Sequence, residues 1–126
     1  MLSELKDFVK TIGIGEHFSI GKIDSAKDKS IGVYGDSNRE RVEAIGRESS
    51  YDRANARILI HWTKNLRETE AAARELFEAL RYIHNVQMGD VFVYFLDLTQ
   101  GEPAFVGTDD NGIYEYVITL SILYRR

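Results

Sequence analysis

The chain has no cysteine, a single proline, no long apolar run and no surplus of positive charge. Each absence removes a class of protein. Without cysteine there is no thiol nucleophile, no disulfide staple and no thiolate-ligated zinc. No stretch approaches the roughly 20 apolar residues of a membrane span. The amino-terminal MLSELKDFVKTIG carries acids and lysines at helical spacing rather than the uninterrupted apolar run of a signal peptide, so a soluble, unsecreted protein is expected. A formal net charge of −4 argues against a general nucleic-acid binder, which normally carries a basic surplus to neutralise phosphates.

What is present is a chain of 126 residues, near the commonest domain size and large enough to bury roughly two thirds of its unfolded surface. One α+β domain over 1–126 is the expectation. The most informative segment is the last third, Gly89 to Arg126, where GDVFVYFLDL, PAFVGTD and GIYEYVITLSILYRR are separated only by turn signals. The last run alternates with period two. Tyr114, Tyr116, Ile118, Leu120, Ile122 and Tyr124 fall on one face, and Glu115, Val117, Thr119, Ser121, Leu123 and Arg125 on the other. Gln100-Gly101 and Asp110-Asn111-Gly112 supply the turns, and Pro103 suits an edge strand.

Upstream, Ser3 is placed to cap a short helix with an apolar stripe of Leu5, Phe8, Val9 and Ile12, which Gly13 and Gly15 would end. HFSIGKID and SIGVYGD read as two short strands, for which a hairpin is the simplest pairing. From Asp36 to Arg53 both periodicities vanish, so a long flexible loop is expected at about 36–53. ANARILIHWT then reads as a central strand with apolar side chains on both faces. Asn65 caps the strongest helix, in which Leu66, Thr69, Ala73, Leu76, Phe77, Leu80 and Ile83 recur at helical spacing, with Asn85 and Gly89 closing it. The resulting order, α-β-β-β-α-β-β-β, predicts a mainly antiparallel sheet with two helices packed on one face.

Candidate chemistry is sparse. His17, His61 and His84 lack any paired metal-ligand spacing, so His61 reads as a strand residue with an ordinary hydrogen-bond partner and His84 as a charge near a helix end. Asp109 and Asp110 could be an acid pair, but directly before Asn111-Gly112 they read as hairpin chemistry. GIGEH and GKIDSAKDKS lack the spacing of a phosphate loop, and Ser49 and Ser50 lack the context of a strained nucleophile turn. No enzyme, cofactor or metal is expected. The tyrosine stripe leaves one alternative, a small ligand- or single-stranded nucleic-acid-binding module using an aromatic sheet face.

The run ANARILIHWTKNLRETEAAARELFEAL followed by the meander, with the hairpin from Phe105 to Tyr116, resembles the small minor capsid proteins of tailed-phage and prophage gene clusters, which are similar to tail terminators of the lambda type. The resemblance is clearest from Ala54 onward. It implies an α+β subunit without catalytic residues that assembles into a ring, commonly a hexamer, which caps the tail tube and meets the head connector. On that expectation Arg39, Arg41, Arg47, Tyr51 and Arg53 are candidates for the interface between copies, in a loop that orders on assembly.

Overall fold

The structure, a computed structural model, describes residues 1–36 and 51–125. Its elements are α1 (Leu2–Ile12), β1 (His17–Ile20), β2 (Ser30–Gly35), β3 (Tyr51–His61), α2 (Leu66–Arg81), β4 (His84–Met88), β5 (Val91–Leu98), β6 (Ala104–Thr108) and β7 (Tyr114–Arg125). The expected α+β class and order hold, with one additional short strand, β4. Most of the segment expected as a loop at about 36–53 lies outside the described residues, and with it Arg39, Arg41, Arg47, Ser49 and Ser50.

All seven strands belong to one sheet in the order β1-β2-β3-β7-β5-β4, with β6 also paired to β7. Every pairing is antiparallel except β1 with β2. β7 organises the sheet. One of its sides pairs with β3 from Tyr51 to His61, and its other side is shared end to end by β5, opposite Leu120–Tyr124, and β6, opposite Tyr114–Val117. The segment 99–103 between them is an excursion from what is otherwise one edge.

The even-numbered positions of β3 and β7 build the inner face: Ala56, Ile58, Ile60, Ile118, Leu120 and Ile122 are essentially without solvent exposure. The register sets them side by side, Ile58 opposite Ile118 and Ala56 opposite Leu120, and Ile31 and Val33 of β2 extend the same layer. α2 lies over β7, β5 and β3 and inserts Ala73, Leu76, Phe77 and Leu80. α1 adds Leu5 and Val9 and touches β1, β2 and β4, strands from opposite ends of the order, so the sheet curls around the helices. At about 25 cal/mol per Å² of apolar area, this continuous layer outweighs the exposed Glu70–Arg74 and Glu78–Arg81 ion pairs of α2, worth a few tenths of a kcal/mol each.

Four local expectations are corrected. α1 begins at Leu2 after Met1, and Ser3 is an exposed residue inside the helix; the partly buried Met1 and Leu2 pack against the core, which extends the helix past the expected cap. Its far end is as expected, with Gly13 left-handed at φ 86. β1 and β2 are parallel, not a hairpin. The connection 21–29 crosses the outer face instead of turning tightly: Ile23 packs over Gly32, where an added Cβ would come within 2.6 Å of it, and the Ser25 carbonyl reaches His61. β3 starts at Tyr51, so Tyr51, Asp52 and Arg53 are strand residues paired with Arg125, Tyr124 and Leu123, not loop. α2 ends at Arg81 with Tyr82 as its cap, and Asn85, at φ 48, lies within β4 instead of closing the helix. His84 accordingly stands on β4, with Nδ1 3.0 Å from the Tyr82 carbonyl.

Candidate assembly surfaces

Asn65 begins α2 as expected, its side chain accepting a hydrogen bond from the Glu68 amide at 3.1 Å, and this fixes the helix over the inner face. The tyrosine stripe therefore faces the core. Tyr116 is 9% exposed, and Ile118, Leu120 and Ile122 are sealed around it. Burial, with a smaller contribution from the nearby Glu70 charge, raises the Tyr116 hydroxyl above its ordinary pKa. A stacking platform for bases would have to be exposed, so the alternative of an aromatic nucleic-acid-binding face loses its structural basis.

The outer face is of mixed character. Leu59 and Val117 are half-buried, opposite each other and among Arg57, Asn55 and Thr119. Ser121 donates a hydrogen bond to Asn55 Oδ1 at 2.6 Å, and Arg57 lies 3.6 Å from Asp36. Of the expected interface residues, Tyr51 and Arg53 stand at the start of β3 on this face, next to the end of β7. The Arg53 Nε is buried without a hydrogen-bond partner among the described residues. Alternation of β3 and β7 puts Arg125 on the same face, where its guanidinium sits 4.9 Å from the Phe92 ring centroid, and Phe92 packs edge-on against Tyr94 at 5.5 Å. Arg125 and Phe92 were not legible as partners, because their contact depends on the bulge between Val93 and Phe95.

At the opposite end of β3 lies the best-organised polar cluster. His61 has no solvent exposure, and its Nδ1 is 3.0 Å from Glu115 Oε2 and 3.7 Å from Asp109 Oδ2. Its Nε2 is 3.2 Å from the Ser25 carbonyl. Asp109 also shapes the hairpin between β6 and β7, its Oδ1 accepting from the amides of Asn111 and Ile113 at 2.9 Å each. His61 thus ties the 21–29 connection to β3, β7 and the hairpin, the structural role its position predicts. Asp109 and Asp110 do not form an acid pair over a cleft. No cluster of three or more metal-ligating side chains occurs among the described residues.

Among the described residues, two of the open depressions border β6 and β1. One, with a volume of about 360 Å³, lies between α2 and the excursion 99–103, where Arg74 is 3.2 Å from Glu70 and 3.8 Å from Glu102 beside Phe105 and Tyr116. The second, about 310 Å³, follows β1 beneath α1. Six large apolar side chains are exposed among the described residues: Ile20, Leu66, Tyr82, Phe95, Phe105 and Val106. No helix among the described residues is long and apolar enough to cross a membrane.

A rigid inner layer with its ordered polar network spent on structure, and apolar side chains left on strand edges and the outer face, describes a subunit built for contacts. The chain belongs to the bacteriophage tail terminator protein family, whose sequence profile matches residues 4–126, nearly the whole chain. This is a family of structural, non-enzymatic phage tail proteins, which assemble with other proteins of the virion. No curated protein matches the chain.

Proposed function

We propose that the protein is one subunit of a ring that closes the end of a phage tail tube and presents a surface to the head connector. The observation that carries this reading is family membership along residues 4–126. A closed ring needs two different patches on each copy that meet head to tail. The fold supports this with strand edges that are unpaired among the described residues and an outer face that is still partly exposed, while the helices cover the inner face. Residues 1–126 act as one domain, supported by the single hydrophobic cluster that both helices and the strands around them share. Assembly takes place in the host cytoplasm and the ring remains in the virion, where no small-molecule substrate is needed.

Tyr51 and Arg53 are proposed to contact the next copy, together with Arg39, Arg41 and Arg47, whose guanidinium groups would set register against acidic side chains. The test is mass in solution with electron microscopy, on the native chain and on a chain lacking residues 38–49. The native protein should give ring particles, and the deletion should leave a folded monomer. Rings of undiminished stability after the deletion would remove this segment from the interface, and a native protein that neither forms rings nor binds tube ends would refute the assignment.

A further inference from the structure

The register runs straight across one end of the sheet. Phe18 of β1 is aligned with Ile31, Ile31 with Ile60, Ile60 with Tyr116, and Tyr116 with Phe105 of β6. At this level the sheet is therefore five strands wide, β1-β2-β3-β7-β6, and among the described residues it ends in an unpaired strand on each side. On β1, the amides of His17 and Gly21 bond to β2 through the carbonyls of Lys29 and Val33, so strand alternation turns the backbone groups of Phe18 and Ile20 to the free edge. On β7, Tyr114 exchanges bonds with the β3 side, to Trp62 and Thr63, so Glu115 and Val117 bond to β6. That leaves the backbone of Phe105 facing outward, next to the bulge at Val106.

Three of the six exposed large apolar side chains sit on these two edges: Ile20 at 46%, Phe105 at 55% and Val106 at 56%. Unpaired strand edges with apolar side chains are templates for pairing with another chain, and β6 carries no lysine to blunt that tendency. The two edges also differ in charge. Between Arg81 and Arg125 there is no Lys or Arg, while Glu102, Asp109 and Asp110 flank β6. The depression along β1 is bordered by three lysines, Lys6 and Lys10 of α1 and Lys27 of the 21–29 connection, against two acids, Glu16 and Asp24. Within it the Ser19 hydroxyl is buried and lacks a hydrogen-bond partner among the described residues.

We propose that β6 of one copy adds to the β1 edge of the next copy, continuing the sheet from subunit to subunit. This rests on the ring reading above and names the two patches it requires. Strand directions support the pairing. β1 and β2 run one way, β3 the other, β7 the first way and β6 the other. Copies related by rotation about an axis along the strands therefore bring β6 against β1 antiparallel, the more stable arrangement. That direction places the Thr108 end of β6, with Asp110, beside the His17 end of β1, and the Glu102 end beside Ile20. The partner is a second copy of this chain, because the edge with a lysine excess and the strand flanked by acids are both its own.

The absence of cysteine makes the test clean. A chain carrying Ile20→Cys and Val106→Cys is treated with a short bismaleimide and run on a denaturing gel, while the untreated native protein is weighed in solution. The expected result is a ladder in multiples of 14.4 kDa that stops at the ring size, with neither single variant giving more than monomer. Lys10→Glu combined with Lys27→Glu in that chain, or a rise in salt to about 1 M, should cut the ladder several-fold. Dimers from Val106→Cys alone would mean a two-fold contact of β6 with itself and would overturn the proposal. Native rings with no ladder would overturn it while leaving the ring reading intact. A native chain that gives no ladder and forms no rings, either alone or on tube ends, would defeat both.

Discussion

On the inner face of the sheet Ile58, Ile60, Ile118 and Leu120 are sealed under two helices, whereas on the outer face their neighbours Leu59 and Val117 are half exposed among Arg57, Asn55 and Thr119. The two faces alternate residue by residue along the same strands, so the difference arises from which elements cover them. The inner layer gains its stability from area removed from water. The outer layer and the edges hold apolar side chains whose burial is still available, which in a structural virion protein is the resource for assembly. Substitutions should therefore separate into those that unfold the subunit and those that leave it folded but unable to assemble.

The largest effect is expected from Leu76→Asp, which places a carboxylate in the hydrophobic cluster that Leu76 shares with Leu5, Leu80 and Ile118; the loss should exceed the few kcal/mol of a simple Leu→Ala cavity, and circular dichroism should show an unfolded chain. A well-folded variant would mean that α2 is not docked as described. His61→Ala should come next. It strips Glu115, Asp109 and the Ser25 carbonyl of a shared partner inside the protein, at a cost of about 1–3 kcal/mol in a denaturant titration. Gly32→Val should also destabilise, because its side chain would collide with Ile23 and the Tyr34 ring and lift the 21–29 connection from the outer face, seen as loss of amide protection in that segment.

On the other side of the comparison, Val106→Lys should change the stability of the subunit by no more than about 0.5 kcal/mol, since the side chain is already exposed. Its effect belongs to assembly. The smallest effect is that of Glu4→Gln. A backbone hydrogen bond and then the Met1 ammonium, 3.2 Å away, hold the Glu4 carboxylate below its ordinary pKa. A depressed folded-state value contributes stability that is present above the unfolded pKa and lost as pH falls through the folded one. The variant should match the native protein in strong acid and trail it slightly at neutral pH, and a gap that widened on acidification would contradict the sign.

Sequence alone located what local periodicity encodes. The stripe of α2 after its Asn65 cap, and the alternation of β7 from Tyr114 to Tyr124, are strong because one face of each is buried from Thr69 to Leu80 and from Tyr116 to Ile122, although Leu66 itself is exposed. β4 escaped because HNVQM is short, follows the helix after two residues, and contains an Asn at positive φ that imitates a helix end. The strand character of Tyr51, Asp52 and Arg53 was hidden because it comes from pairing with the far end of β7 and not from their own polar pattern. The parallel pairing of β1 with β2 was hidden for a related reason, since the 21–29 connection is held by Gly32 and His61, residues remote from the turn itself. Among the candidate contact residues, Tyr51 and Arg53 were visible through charge and aromaticity. Ile20, Phe105 and Val106 were not, because exposure of a strand residue depends on which strand ends the sheet.

The most direct test is sedimentation velocity of the native chain and of Val106→Lys over the same concentration range, paired with their thermal melts. The native chain should convert with concentration to one larger closed species, and the variant should remain a monomer with an unchanged midpoint. Assembly by the variant equal to that of the native chain, or a variant that unfolds, would contradict the separation of a stabilising inner face from an assembling edge.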